Sequence, residues 1–445
     1  MRLQYFSAAC LLMLLTNVGT ARGVAADARG SSVQPKSAEL RYVVYLSRHG
    51  VRSPTGKVSQ YNRFSAAPWP EWSVQPGYLT PHGFHLMELF GAYDRVQLAD
   101  QGLLQANGCA DASHVTIYAD SDQRTRETGK AIAQGLMPGC ALPVESLPEG
   151  TNDPLFHPIT DATSSHDPAL ATAAIDGRIG GDAANLTKAY YPQIAALDHI
   201  LATCGTASSS AMQKVVQRTS LLDIPATLSE GTGNHLADLK GPIATASTLS
   251  ENLLLEYAEG MNSASVGWGC VHSSEIQAFM ALHTAATDFT QRTPEIARAQ
   301  ASNLLDHIRL SLQQAADQKV LRGAIGKPSD RVLFLIGHDT NQENIAGLLN
   351  LTWIIEGRRD DTPPGGALIF ELWKNRSNGQ YSVRTYFTAQ TLEQMRASTP
   401  LTASNPPQRV PVFIPGCSEA DMSCPLGSFL HLLEQDSDQR AVVKR

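Results

Sequence analysis

The chain has 445 residues, too many for one ordinary core, so its length predicts two domains. Its 35 basic and 42 acidic side chains make it net acidic, which argues against nucleic acid as a partner. At 17 %, the charged fraction is below the usual value of about 25 %, and Ser, Thr, Gln and Asn fill much of the remaining polar surface.

The opening stretch, MRLQYFSAACLLMLLTNVGTARGVAADARG, places Arg2 before an apolar run from Phe6 to Leu15, with small residues at Ala25 and Ala26. This predicts a secretory signal peptide over residues 1–26, with an apolar run too short to span a membrane. No later segment is long and apolar enough to span one, so no membrane partner is expected after cleavage. Cleavage leaves 33 basic against 42 acidic side chains, a charge of −9. It also removes Cys10 and leaves six cysteines: Cys109, Cys140, Cys204, Cys270, Cys417 and Cys424. An even number in an exported chain predicts disulfides. Proximity suggests Cys417–Cys424 and, across one strand–helix unit, Cys109–Cys140. Cys204 and Cys270 remain. No C-x-x-C spacing points to a zinc site.

Residues 40–46, LRYVVYL, predict a buried strand that runs into RHGVRSP. A helix follows, capped by Thr80 with Pro81 in its first turn and Leu86, Leu89, Phe90 and Tyr93 along one side. VTIYA at 115–119 predicts a second strand. DQRTRETGKAIAQGLM predicts a second helix, with Gly139 just past its end. Such alternation predicts an α/β fold with a central, mainly parallel sheet flanked by helices. From 150 to 325 the pattern changes to helices and Gly/Ser/Thr-rich loops without a good strand. TLSENLLLEYAEGM and TPEIARAQASNLLDHIRLSLQQAADQ are the clearest helices, with Leu305, Ile308, Leu312 and Ala315 marking one face of the second. VLFLIGHDTN, from 332, resumes the sheet. ALIFELW and YSVRTYF follow, joined through KNRSNGQ as a hairpin with an Asn-Gly turn. The organisation expected is an α/β domain built from 27–149 and 326–445, with a mostly helical cap domain inserted over 150–325.

In open α/β sheets, ligands bind beyond the carboxyl ends of the strands. Three predicted strands end there in reactive residues: Arg48, His49 and Arg52 after the first, Arg124 after the second, and His338 and Asp339 after the third. Arginine forks bind phosphate oxygens and keep their charge at any working pH. A neutral histidine can attack phosphorus, and nearby guanidinium groups disfavour the imidazolium. An aspartate can protonate the departing alkoxide. The arginines supply the charge, so neither a metal nor another cofactor is expected. Each residue also has a plainer reading. The arginines could sit in structural salt bridges, His49 in a turn, and Asp339 at a helix N-cap. The Asp120-Ser121-Asp122 run resembles the start of a calcium loop but lacks the Gly and the terminal Glu, so it reads as a turn.

RHGVRSP together with GHDTN resembles the two signatures of the histidine acid phosphatases, with the bacterial periplasmic phytases most similar. The resemblance extends over PWPEWSVQPGYLTPHG, DQRTRETG, DPLF, GWG, QRTPEIAR, DTPPGGALIFELW and the terminal cysteines. It implies His49 as the phosphate-accepting nucleophile and Asp339 as proton donor. It implies Arg48, Arg52, Arg124 and His338 as a phosphate clamp, with Thr55, Glu251 and His283 lining the substrate pocket. The implied activity is metal-independent phosphomonoester hydrolysis in acid on phytate and related substrates. A sugar phosphatase or broad-specificity acid phosphatase is the alternative, in each case as a periplasmic or secreted monomer. Two positions depart from the pattern: Gly56 stands where a lysine is usual, with Lys57 next to it, and Gln300 replaces a pocket arginine. Both remove positive charge from around the pocket. A phosphoglycerate mutase shares the RHG strand end but is cytosolic and usually continues with Glu. An exported phosphate-binding protein would keep the arginines but has no need of a nucleophile beside a proton donor.

Overall fold

The computed structural model describes residues 37–160, 166–205, 218–438 and 440–442. The expected signal segment lies outside them. In chain order, strand β1 (Ala38–Arg48), helix α1 (Pro81–Asp100), β2 (Val115–Ala119), α2 (Gln123–Leu136) and β3 (Val144–Glu145) come first. Helices α3 (Pro168–Ile179), α4 (Ala184–Ala189), α5 (Tyr191–Thr203), α6 (Pro242–Ala258), α7 (Ser273–Thr290) and α8 (Pro294–Asp317) follow. Then come β4 (Val332–Gly337), α9 (Asp339–Leu348), β5 (Ala367–Asn375), β6 (Tyr381–Ala389), α10 (Leu392–Ala397), β7 (Gln408–Val412), β8 (Ser423–Pro425) and α11 (Leu426–Asp436).

One eight-stranded sheet runs in the order β7-β6-β5-β1-β4-β2-β3, with β8 also paired to β6. Strands β1, β4, β2 and β3 are mutually parallel, and β5 to β8 extend the sheet as antiparallel neighbours. The parallel registers position the site. Arg48 lies opposite Gly337, and Ala119 opposite Ile336. Three strands therefore end level with one another, and the residues after them emerge on one edge.

The sheet is mixed, and its parallel core is covered on both faces, as parallel strands require. Along β1, Tyr42, Val44 and Leu46 face a core shared with Leu305, Ile308 and Leu312 of α8, Ile345 of α9 and Phe429 of α11. Val43 and Tyr45 point the other way, onto Met87 and Phe90 of α1 and Ile132 and Leu136 of α2. A third core joins Ile175, Leu197, Leu249, Leu253, Phe279 and Leu282 from the helical region.

Several sequence expectations are refined. On α1 the buried stripe is Leu86, Met87, Phe90 and Leu98, while Leu89 and Tyr93 are only partly buried. Thr80 caps this helix as expected, its side chain accepting from the Gly83 N–H. The region read as strand-free contains a hairpin, Thr227–Glu230 with Ala237–Lys240. Its exposed, weakly apolar strands leave no periodic signal. Helix α6 begins at Pro242, ahead of the segment expected. Helix α8 falls within the 150–325 segment, yet its predicted face, Leu305, Ile308, Leu312 and Ala315, packs on the sheet. The KNRSNGQ hairpin is present, but it turns through a longer loop with only Gly379 at positive φ. The three disulfides join Cys109–Cys140, Cys204–Cys270 and Cys417–Cys424.

Burial pushes three acids in these cores, Asp94, Glu256 and Glu343, up to about 8. An unfolded carboxyl titrates at about 4. Between those values the folded protein holds protons that the unfolded chain releases, so stability falls as pH rises. Each such group contributes up to about 1.4 kcal/mol per pH unit. Above about pH 6.5, where the buried histidines no longer oppose this trend, the thermal unfolding midpoint should decline towards pH 8. Glu256→Gln should flatten that decline in a series of melts, and a midpoint that rises towards pH 8 would contradict this account.

Candidate active site

The chain leaves β1 at Arg48, and three successive contacts fix where it goes. Arg48 N–H donates to the Gly366 carbonyl at 2.9 Å, His49 N–H to Gly337 at 3.0 Å, and Gly50 N–H to the Thr128 hydroxyl at 3.0 Å. Gln342 braces the same point from α9, donating to the carbonyls of Leu46 and Gly366 at 2.8 and 2.7 Å. Glycine is required twice here because of close approach. A Cβ on Gly50 would stand 2.8 Å from Met87 Cγ and 3.0 Å from the Gly83 carbonyl oxygen. One on Gly83 would stand 2.1 Å from the Val51 carbonyl oxygen. The first turn of α1 is thus pressed against the strand exit.

His49 is 2 % exposed. Its Nδ1 lies 2.9 Å from the Gly50 carbonyl oxygen. A carbonyl only accepts, so Nδ1 carries the proton and Nε2 keeps its lone pair. Burial, reinforced by Arg124, Arg52 and Arg48, holds the imidazolium form well below the ordinary histidine range. A buried, neutral imidazole with an unprotonated Nε2 has the chemistry a nucleophile needs.

The arginines surround it. Arg48 is fully buried; Nη1 donates to the Thr362 carbonyl at 2.6 Å, and Nη2 meets Glu251 and, at 3.1 Å, Asp339 Oδ2. Arg52 Nη2 shares the same Glu251 oxygen at 3.2 Å. Arg124 Nη2 meets Asp122 at 2.6 Å and His338 Nδ1 at 3.4 Å. All three guanidinium groups keep a buried Nε–H without an acceptor among the described residues. The fold concentrates more donor capacity here than it satisfies, which is the character of an anion site.

Helix α9 starts at the third strand end. Its N-cap residue, His338, donates its backbone N–H to Asn341 Oδ1 at 2.9 Å, and Asp339 Oδ1 accepts from Thr340 N at 2.8 Å. Burial works against the Asp339 carboxylate, but Arg48, His283 and Arg52 outweigh it and hold the group well below the usual carboxylate range. Glu251 behaves likewise, with Arg52 and Arg48 outweighing its burial.

The structure brings together Arg48, His49, Arg52, Arg124, Glu251, His338 and Asp339. His283 joins them from α7, its Nδ1 held 3.1 Å from Ser247 Oγ on α6 and its buried Nε2 unpartnered among the described residues. Thr55 is exposed on the loop beyond. Its Cγ2 and Arg124 Nη1 lie 3.8 and 3.7 Å from the position a Cβ would take on Gly77. Of the plainer readings, the one for His49 holds in part, since it closes onto its own turn, but the helix N-cap is His338 and not Asp339, which is the first residue of the helix.

Two residues escape the sequence reading. Asp120, read as part of a turn, is 1 % exposed and anchors the clamp. Its Oδ2 accepts from His338 Nε2 at 2.6 Å and from His157 Nε2 at 2.8 Å. Burial opposes this carboxylate, and the hydrogen bonds from both imidazoles reverse that, leaving it well below the usual range. Its signal is its place, directly after an apolar parallel strand. His157 follows DPLF and gives none. Asp120, Asp122, His157 and His338 present ligand atoms within 4.8 Å of one another. Both histidines hydrogen-bond Asp120, and the Arg124 guanidinium lies against Asp122 and His338, so the set reads as a proton-sharing network rather than a cation site.

This geometry defines a phosphoryl-handling site at the edge of an α/β sheet, and comparison with known proteins names its class. Residues 39–388 match the family model of the histidine phosphatase superfamily (branch 2), and the chain belongs to that family. It is 37 % identical over 402 residues to phytase AppA of Escherichia coli, covering 89 % of this chain and 92 % of that one. It is 28 % identical over 403 residues to a glucose-1-phosphatase of Salmonella typhimurium, again covering 89 % and 92 %. Among solved structures, Hafnia alvei phytase in complex with tartrate superimposes with a TM-score of 0.83 at 36 % identity. That match covers 92 % of this chain and all of the other.

Because Val51 separates Gly50 from Arg52, the packing of Gly83 against it bears on catalysis. Gly83→Ala should cost about 1–3 kcal/mol, the usual penalty for overpacking. It should also lower turnover more than Gly177→Ala, whose Cβ would meet nothing within 4 Å. Denaturant melts and initial rates check both.

Proposed function

We propose that the chain is an acid phosphatase that transfers a phosphoryl group to His49 and then to water, with phytate as its principal substrate. The observation that carries this is the protonation of His49: Nδ1–H is tied to the Gly50 carbonyl, so Nε2 faces a ring of arginines with its lone pair free. Nε2 attacks phosphorus, the P–O ester bond breaks, and the departing oxygen takes a proton from Asp339. The Gly50 carbonyl steadies the positive ring of the phosphohistidine. Water then attacks phosphorus, Asp339 takes its proton back, and His49 leaves neutral. Arg48, Arg52 and Arg124 bind the non-bridging oxygens, and His338 adds a donor.

Asp339 is ionised beside Arg48 in the free site. A bound phosphate takes over that arginine's charge, so the carboxyl gains its proton only with substrate present and in an acid medium. The family relationship and the phytase activity of the 37 %-identical relative support phytate. A sugar-phosphate preference is the second reading, favoured by Gly56. A Cβ there would stand 2.4 Å from Tyr61 Oη, so Tyr61 fills the place of a longer side chain. A panel of phytate, glucose 1-phosphate and aryl phosphates decides between them.

The reading extends to the whole chain. Helices α3 to α7 act as a cap, since Glu251 and His283 reach the clamp from α6 and α7, while α8 belongs with the sheet. The leader sequence and three disulfides support export to the periplasm or outside, and the enzyme acts as a monomer. No helix among the described residues is long and apolar enough to cross a membrane.

His49→Ala should abolish turnover while leaving the melting profile intact, and excess EDTA should leave the native enzyme's rate unchanged. Activity restored to a chelated enzyme by zinc or magnesium would refute the metal-free scheme. Asp339→Asn should lose on the order of 10²–10⁴-fold with alkyl phosphates. The loss should be smaller with p-nitrophenyl phosphate, whose leaving group needs less protonation; equal losses would mean that Asp339 orients rather than donates. The acid limb of kcat/KM should lie below the ordinary histidine pKa of about 6.5, because burial and the arginines keep His49 neutral there.

A further inference from the structure

The clamp histidine shares its carboxylate with a second imidazole. His338 Nε2 and His157 Nε2 both donate to Asp120 Oδ2, and the two rings lie 5.0 Å apart, centroid to centroid. Asn341 fixes the pair: its amide oxygen accepts from His338 N at 2.9 Å and its amide nitrogen donates to the Phe156 carbonyl at 2.8 Å. The residue before His157 is thus tied to the helix end that carries His338.

His338 has only one other nitrogen. Nδ1 faces Arg124 Nη2 at 3.4 Å. A guanidinium has no acceptor, so in the neutral ring Nδ1 accepts from it and offers a phosphate nothing. His338 becomes a phosphate donor only by taking a second proton, on Nδ1. Burial opposes that proton, Asp120 supports it, and Arg124 and His157 oppose it, leaving His338 below the ordinary histidine value. For His157 burial is outweighed by Asp120 and Asp122, which hold it above that value. As pH falls, His157 is charged first.

We infer that His157 is a positioning residue that governs, through Asp120, the pH below which His338 can donate to a bound phosphate. Charged His157 draws on the Asp120 oxygen that would support the His338 imidazolium and places a like charge beside it. Phosphate binding is then linked to proton uptake on His338, and His157 sets how acid the medium must be. The charged and titratable groups facing His157 are Asp120 beyond β2, Asp122 and Arg124 at the start of α2, and His338 at the start of α9. The inference rests on the phosphatase reading above for its meaning, but its test does not need turnover.

His157→Gln keeps an N–H for Asp120 and removes the charge. Calorimetric binding of inorganic phosphate, measured from pH 4 to 8 on native and variant protein, reads the effect. The pH at which affinity falls away should move up by about one unit in the variant, a typical size for environmental shifts. Towards the acid end of the range the two affinities should converge. An unmoved profile, whether affinity is kept or uniformly weakened, overturns the inference. If the variant does not fold, NMR titration of the native histidines decides: His157 must gain its proton at higher pH than His338, and the reverse order overturns the inference. Native protein that binds phosphate but fails to hydrolyse p-nitrophenyl phosphate would sink the phosphatase reading alone.

Discussion

Buried like charge is the constraint on which the rest of the site depends. Arg48 has no exposed surface and Arg52 and Arg124 little, yet all three converge on the exit of β1. Removing a cation from water costs several kcal/mol unless it is paired and hydrogen-bonded. The pairing here is partial. Glu251, Asp339 and Asp122 each reach an arginine from a different element, and the Thr362 carbonyl takes one more Arg48 donor. A phosphate dianion can replace the Glu251 and Asp339 contacts without leaving an arginine unpaired. The free site is therefore a charge-balanced stand-in for the complex. One of its counter-ions, Glu251, sits on α6, so the position of the helical region and the charge state of the clamp are not independent.

Much of this is legible in the sequence because the parallel sheet makes it so. Apolar runs ending in charged residues predict strands with a reactive C-terminal edge, and level registers at Arg48, Ala119 and Gly337 do the rest. The residues that stay hidden are those defined by a tertiary partner. Asp120 looks like any turn aspartate until two imidazoles are seen on one oxygen. His157 carries no local signature, since its meaning comes from Asn341 and Asp120, each distant in the chain. The hairpin at 227–240 is silent because only Leu239 in its strands is buried, which leaves no alternating pattern to read. Helix α8 is legible as a helix, but its place in the chain suggests the cap; its packing on β1 is a long-range fact.

Rigidity at the site comes from absent side chains. Gly50, Gly83 and Gly337 all lie where a Cβ would strike a neighbour, at Met87, Val51 and Asn341 respectively. The contacts of Gly50 and Gly83 bring the exit of β1 and the start of α1 to backbone distance, and Gly337 leaves room for the Asn341 and Phe156 side chains at the start of α9. An imidazole held this way, acting as the proposed nucleophile, needs little further ordering when substrate arrives.

Two histidines on this edge must do opposite things under the same arginines. Their centroids are 5.6 Å apart, both are buried, and burial disfavours the charged form of each. In the proposed mechanism His49 must remain neutral to attack phosphorus, and in the inference drawn from Asp120 and His157, His338 must be charged to hold it. The difference lies in what each ring nitrogen touches. His49 Nδ1 meets a carbonyl, which fixes the tautomer but carries no charge to favour an imidazolium. His338 Nε2 meets Asp120, an ionised carboxylate, which does favour one. The strand registers dictate this division. β1 turns sharply after His49 and can offer only its own backbone, whereas β2 ends beside β4 and delivers a carboxylate at the level of His338.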